Sequence, residues 1–272
     1  MALDFDAVIN TPEESVDMKA GLKTLQGVSD AARCIAETLL TDHVPQRQTH
    51  KKDVRTILKQ SFKGSYGHIF AIEIYDDEAN RRFKRMGRAV FLELMDYFLN
   101  EAVYKEHAYE LTDAANRVVK DLGEKADALT KQLRKSAMQN LHAVPEQFGF
   151  DVKVRYRKNR DNQRVLANFD QATAATISAR PAREDVRITA AITRLNINTG
   201  NGRLSVKGID GTVAFGFKGL YARVPVAIKE PISVNLAYNN VRDSDNWQYM
   251  EIVARPIKLR DGKVVKYIVK EL

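Results

Sequence analysis

Val186-Arg187-Ile188-Thr189-Ala190-Ala191-Ile192-Thr193-Arg194-Leu195 sets the architecture of the last third of the chain. Ile188, Ala190 and Ile192 fall at every second position, the period at which one face of a strand enters a core while the other meets solvent. Leu195 and Ile197 extend the run to a turn at Thr199-Gly200-Asn201-Gly202. Leu204 and Val206 then lead to Gly208-Ile209-Asp210-Gly211, after which Val213, Phe215 and Phe217 point one way. Ile232, Val234, Leu236 and Tyr238 alternate as a further strand. The runs 249–257 and 264–269 face each other across Asp261-Gly262, a two-residue hairpin signal. Short strands with turns at this spacing predict a five-stranded small β-barrel of OB or SH3 type.

Upstream the pattern is different. Pro181 marks the boundary, giving a helix-rich α+β domain over 1–182 and the barrel over 183–272, an α+β protein with a small sheet and long helices at its N-terminus. Leu3, Phe5, Ala7 and Ile9 alternate as a strand that ends at Thr11-Pro12. Leu22, Leu25, Val28, Ala32, Ile35 and Leu39 then recur at steps of three and four, predicting a helix from Asp17 that stops before Pro45. Two β-leaning runs, 54–58 and 69–75, flank Ser61-Phe62-Lys63-Gly64-Ser65-Tyr66-Gly67, a hairpin turn. Asp76-Asp77-Glu78 opens a long helix with Phe83, Met86, Val90, Leu94, Tyr97 and Phe98 on one face and Arg81, Arg85 and Arg88 on the other. A second long helix, 107–141, carries Leu111, Ala115, Val118, Leu122, Ala126, Leu129 and Leu133 in a narrow stripe, suited to one partner helix in this chain or in a second copy. After Pro145, Val152, Val154 and Tyr156 alternate with Lys153, Arg155 and Arg157, making a basic hairpin with Lys158, Arg160 and Arg164.

A net charge of +8 and a pI near 9.4 favour anionic partners. Cys34 is the single cysteine and sits on an apolar helix face, so it reads as a core residue and implies a reducing compartment. The first fifteen residues lack a basic and apolar leader pattern, and no apolar run reaches membrane-spanning length. A cytoplasmic location without membrane partners is the expectation.

The motifs of nucleotide and zinc chemistry are missing. No phosphate-binding loop or dinucleotide fingerprint is present, and His43, His50, His68, His107 and His142 are scattered without the spacing of a metal site. Ser65, between Gly64 and Gly67, stands in a hairpin rather than a nucleophile elbow. Glu146, Asp151 and Lys153 resemble the acid, acid-x-lysine signature of metal-dependent nucleases, with too short an interval between the two acids. No cofactor, metal ligand or catalytic residue is assigned.

What remains is a basic surface. Lys153, Arg155, Arg157, Lys158, Arg160 and Arg164 on the hairpin, and Arg187, Arg194, Arg203, Lys207, Lys218 and Arg223 in the barrel, stand beside Tyr221, Trp247 and Tyr249. Cations that follow a backbone and aromatics that stack bases are the elements of single-strand recognition. Leu22-Lys23-Thr24-Leu25-Gln26-Gly27, Ser61-Phe62-Lys63-Gly64-Ser65 and the run 186–195 together resemble an uncharacterised bacterial family in which an α+β domain precedes a five-stranded barrel. That resemblance implies the architecture and carries over no site. The function expected is non-enzymatic: binding of nucleic acid or a protein partner through the basic C-terminal half, with the long helices mediating homo-oligomer or complex formation. A metal-dependent nuclease, or a structural accessory subunit of a bacterial defence or mobile-element system, are the alternatives.

Overall fold

The computed structural model describes residues 2–46, 53–62, 66–105, 110–219 and 221–272. The chain divides into two compact units, Met1–Ile177 and Ser178–Leu272.

In the first unit, β1 (Ala2–Ile9) is the centre of an antiparallel sheet with β2 (Val54–Phe62), β3 (Tyr66–Ile74), β4 (Val152–Arg157) and β5 (Gln163–Phe169) in the order β2-β3-β1-β4-β5. Leu3, Phe5, Ala7 and Ile9 enter the core as their alternation requires. Helix α1 (Met18–Thr41) starts where the Asp17 carboxylate accepts the Ala20 N–H at 2.8 Å and ends at Asp42, whose left-handed φ of 57° closes it. Its stripe of Val28, Ala32, Ile35 and Leu39 is buried, as is Cys34.

The two long helices predicted from periodicity are each interrupted. The first is α2 (Asp77–Met86) and α3 (Arg88–Glu101), separated by Gly87 at φ 81°. The second is α4 (Asp113–Leu122), α5 (Glu124–Lys135) and α6 (Ala137–Leu141), with Gly123 at φ 53° making the first break, and a further short helix, α7 (Ala143–Phe148), follows it. The apolar stripe survives the breaks because each keeps the same side toward the core. Ala115, Leu122, Ala126, Leu129 and Leu133 are buried in the unit's own core. The stripe is therefore used within the chain, one of the two arrangements its pattern allowed. A short α8 (Gln171–Ser178) completes the unit.

The second unit contains β6 (Arg180–Pro181), β7 (Val186–Leu195), β8 (Gly202–Val206), β9 (Val213–Phe217), α9 (Val226–Asn239), β10 (Met250–Lys258) and β11 (Val264–Glu271). Five strands close in the order β11-β9-β8-β7-β10, with β10 returning to pair β11. Every pairing in the barrel is antiparallel except β9 with β11. A meander of three strands, then a helix, then two strands, with the third parallel to the fifth, is the connectivity of an OB barrel rather than an SH3 barrel.

One predicted strand is a helix. Residues 232–238 belong to α9, where Ile228, Ile232 and Leu236 recur every fourth position and pack on the barrel core. Two buried asparagines on that side complete the sheet's hydrogen bonding. Asn235 Oδ1 accepts the Ile192 N–H at 2.8 Å while its Nδ2 donates to the Gln248 carbonyl at 2.8 Å, and Asn239 Oδ1 accepts the Gln248 N–H at 2.8 Å. The expected Asp261-Gly262 hairpin forms with one residue more, since Leu259 and Lys263 close it and Gly262 takes φ 90°.

Candidate nucleic-acid interface

In the first unit the predicted basic hairpin folds around an acid. Asp6 is fully buried on the sheet face opposite the helices, and its register partner on β4 is Arg155. Arg155 Nη2 lies 2.8 Å and Arg157 Nη2 3.0 Å from Asp6 Oδ2, and Arg157 Nε donates to Asp6 Oδ1. Both guanidinium groups also lie over the Phe62 ring, at 5.7 and 5.2 Å. A buried carboxylate needs this neutralisation, so these two arginines are committed to the fold. Arg164 pairs with Asp96 at 3.3 Å. Lys153 lies beside Val8 on the same sheet face, while Lys158 and Arg160 occupy the exposed β4–β5 turn.

The two acids of the nuclease signature lie on either side of the turn between α7 and β4. Glu146 is exposed on α7, and Asp151 precedes β4, its carboxylate accepting Asn168 Nδ2 at 3.4 Å. Among the described residues no three His, Cys, Asp or Glu side chains lie close enough to hold a metal ion. His142 is structural: it is buried, with Nδ1 donating to the Met138 carbonyl at 2.7 Å and Nε2 facing Thr173 Oγ1 at 3.0 Å. Burial pushes its imidazole below the usual range. His50, His107 and Ser65 lie outside the described residues.

The barrel brings three cations into one row. Arg194 on β7 is the register partner of Arg203 on β8, Arg203 that of Ala214 on β9, and Ala214 that of Lys266 on β11. Cross-strand partners share a face, and Leu204, Phe215 and Tyr267, one residue along, point into the core. The row therefore crosses the outside of four strands roughly at right angles to them. Arg203 donates from Nε to Thr212 Oγ1 and from Nη2 to the Thr212 carbonyl, both at 2.7 Å. Lys266 Nζ donates to Asn201 Oδ1 at 2.9 Å. These bonds go to neutral oxygens and fix the positions of the cationic heads.

Ala191, Ser205, Ala214 and Gly216 occupy neighbouring positions on that side of the strands, and all but Ser205 are buried. A Cβ on Gly216 would lie 2.8 Å from Asn201 Oδ1 and 3.1 Å from Lys266 Cε, so any larger residue there would have to displace these two side chains. The β7–β8 loop receives the segment after β9, because the Tyr221 ring packs against Gly200. Lys218 and Arg223 in that segment thus lie at the same end of the barrel, whereas Arg187, Lys207, Arg260 and Lys263 lie toward the other.

Of the three aromatics named for base stacking, Tyr221 and Trp247 are held by contacts of their own, and Tyr249 directly precedes β10. Tyr221 is 9% exposed, tilted against Phe217 with centroids 5.3 Å apart, and Lys229 Nζ sits 4.9 Å above its ring. Burial raises its phenol above the usual range. Trp247 is held at the connection between α9 and β10, its indole N–H donating to the Arg242 carbonyl at 3.0 Å. Sequence reasoning named Arg194 and Arg203 but not Lys266, because the parallel β9–β11 pairing that aligns it is a long-range property; its basic side chain at an outward strand position was the available signal.

The charge is divided as unevenly as the geometry. Residues 178–272 hold sixteen Lys and Arg against nine Asp and Glu, seven of the chain's net eight positive charges. Among the described residues no helix is long and apolar enough to cross a membrane. Comparison of the chain with family models, with curated proteins and with solved structures gives no match.

Proposed function

We propose that this is a non-enzymatic nucleic-acid-binding protein whose C-terminal barrel holds a single strand by its sugar–phosphate backbone. The observation that carries this reading is the cross-strand row Arg194, Arg203 and Lys266 on the outer face of β7, β8, β9 and β11. In OB barrels that face, between flanking loops, is a frequent ligand surface; this step is an analogy of fold, while the charge on the face is particular to this chain. The absence of an outward aromatic on β8 or β9 supports a mode that reads backbone charge and not base identity.

The test is fluorescence anisotropy of the full chain with labelled single-stranded oligonucleotides across a salt series. Expected is an affinity that falls with salt by a log–log slope of about −0.7 per phosphate contacted, with little dependence on base sequence. Arg194→Ala with Lys266→Ala is expected to make the slope shallower by about 1.4. Lys158→Ala with Arg160→Ala, in the turn of the first unit, is expected to leave it unchanged. Failure to saturate at about 50 mM salt, where phosphate contacts are strong, removes the proposal.

A further inference from the structure

The face of α9 turned away from the barrel is almost free of charge. Val226 is 70%, Val234 61% and Tyr238 40% exposed, and Val241, just beyond the helix, is 75% exposed. They fall near i, i+8, i+12 and i+15, one side of the helix, with Ala227, Ser233 and Ala237 exposed beside them. A helix apolar on both sides is ordinarily covered on both. Here only the side bearing Ile228, Ile232 and Leu236 meets the core.

One charge lies within the strip and one ends it. Glu230 lies one turn before Val234 and has no ion-pair partner among the described residues. Arg242 lies two turns after Val234, its guanidinium 3.7 Å above the Tyr238 ring and its Nη1 donating to the Tyr238 carbonyl at 2.6 Å. It too has no acidic partner among the described residues.

From this arrangement we infer that α9 pairs antiparallel with α9 of a second copy of this chain, about a two-fold axis at Val234. In that register Val234 meets its own counterpart, Glu230 faces Tyr238, and the Arg242 guanidinium stacked on Tyr238 meets the Glu230 carboxylate, twice by symmetry. A two-fold contact requires such self-complementarity, and a strip with an acid toward one end and a base at the other supplies it only when the helices run in opposite directions. Val226 and Ala227 of one copy would then rest at the open cavity of about 700 Å³ that Tyr238, Val241 and Arg242 help to line in the other. Ala227, Ser233 and Ala237 allow the axes to approach closely. At fourteen residues the helix is about 21 Å long, so the contact is small and the dimer reversible.

Sedimentation of the full chain over a concentration series tests the inference, with circular dichroism reporting the fold of each variant. The parent is expected to show a monomer–dimer equilibrium, and Val234→Arg, at an exposed position, to raise its dissociation constant at least tenfold with the fold unchanged. Glu230→Arg and Arg242→Glu are each expected to weaken the dimer, and the two together to restore it. Val234→Cys is expected to cross-link to its own copy on oxidation, the native Cys34 being buried. A parent that stays monomeric, a dimer indifferent to Val234→Arg, or charge variants without mutual rescue overturns it.

Discussion

Asp6 and His142 show at the scale of single residues why the chemistry-bearing side chains of the first unit serve the fold. Asp6 is fully buried between two arginines on a neighbouring strand, and removing one partner of such a cluster costs about 3 to 5 kcal/mol because the other charge stays buried. The alternation of Val152, Val154 and Tyr156 with the basic residues was legible in the sequence. The acid that claims Arg155 and Arg157 was not, since it is 149 and 151 positions away in the chain. His142 gives a pH dependence. Burial lowers its pKa, the Met138 carbonyl and Asp170 oppose this, and Arg134 adds to it. A folded value below the unfolded 6.5 means that the unfolded chain binds the proton more tightly. The stability it contributes is complete above that value and is lost as the pH falls through the lowered folded value. Thermal midpoints of the parent are therefore expected to drop between pH 7.5 and 5, and those of His142→Gln to drop less. Some slope remains in the variant because burial lowers His68 in the same direction. Equal slopes for both proteins would show that His142 is not the titrating group.

Contacts between elements depend on where the backbone leaves room. Gly27 sits mid-helix in α1, and a Cβ there would lie 2.1 Å from Leu141 N, 2.6 Å from Leu141 Cα and 2.7 Å from the Ala137 carbonyl. The obstacle is the backbone of α6, which cannot rotate aside as a side chain would. Helix propensity alone favours alanine by about 1 kcal/mol, while overpacking costs about 1 to 3 kcal/mol. With backbone as the obstacle the cost lies at the upper end, and Gly27→Ala is expected to lower stability by up to about 2 kcal/mol net, read from the denaturant midpoint at unchanged slope. A gain in stability would mean that α1 and α6 are not so close. The apolar stripe of α1 could be read from its steps of three and four, but this glycine's role could not, since α6 arrives from 110 residues downstream. Local pattern misled at α9 for a related reason. Ile232, Val234, Leu236 and Tyr238 satisfy a period of two, and the helix that forms instead tolerates Pro231, which cannot donate to the Ala227 carbonyl. The stripe Ile228, Ile232 and Leu236 fits a period of four equally well, and contact with the barrel decides between them. Gly87 and Gly123 acted in the opposite sense: each breaks a helix without displacing its apolar face, so the periodicity runs on while the rod does not.

For the whole molecule, two separate cores go with two different charge balances. One core contains Phe5, Ile35, Phe91, Leu129 and Phe169; the other contains Ile192, Leu204, Phe215, Ile232, Ile252 and Tyr267. The uneven charge was countable from the sequence once a boundary near Pro181 was drawn, whereas the alignment of Arg194, Arg203 and Lys266 needed the order of the strands. Because the barrel closes on itself and its helix fills one end, a chain of residues 178–272 has its own apolar core and lies above the size at which small domains need disulfides or metals. It is expected to unfold in one cooperative transition and to retain salt-sensitive binding of single-stranded oligonucleotides, since it keeps all three cations of the row. Residues 1–177, nearly neutral and with Arg155 and Arg157 occupied by Asp6, are expected to bind weakly at any salt concentration. Should the first unit bind as tightly as the second, affinity would come from the exposed Lys158 and Arg160 turn and the cationic row on the barrel would be incidental.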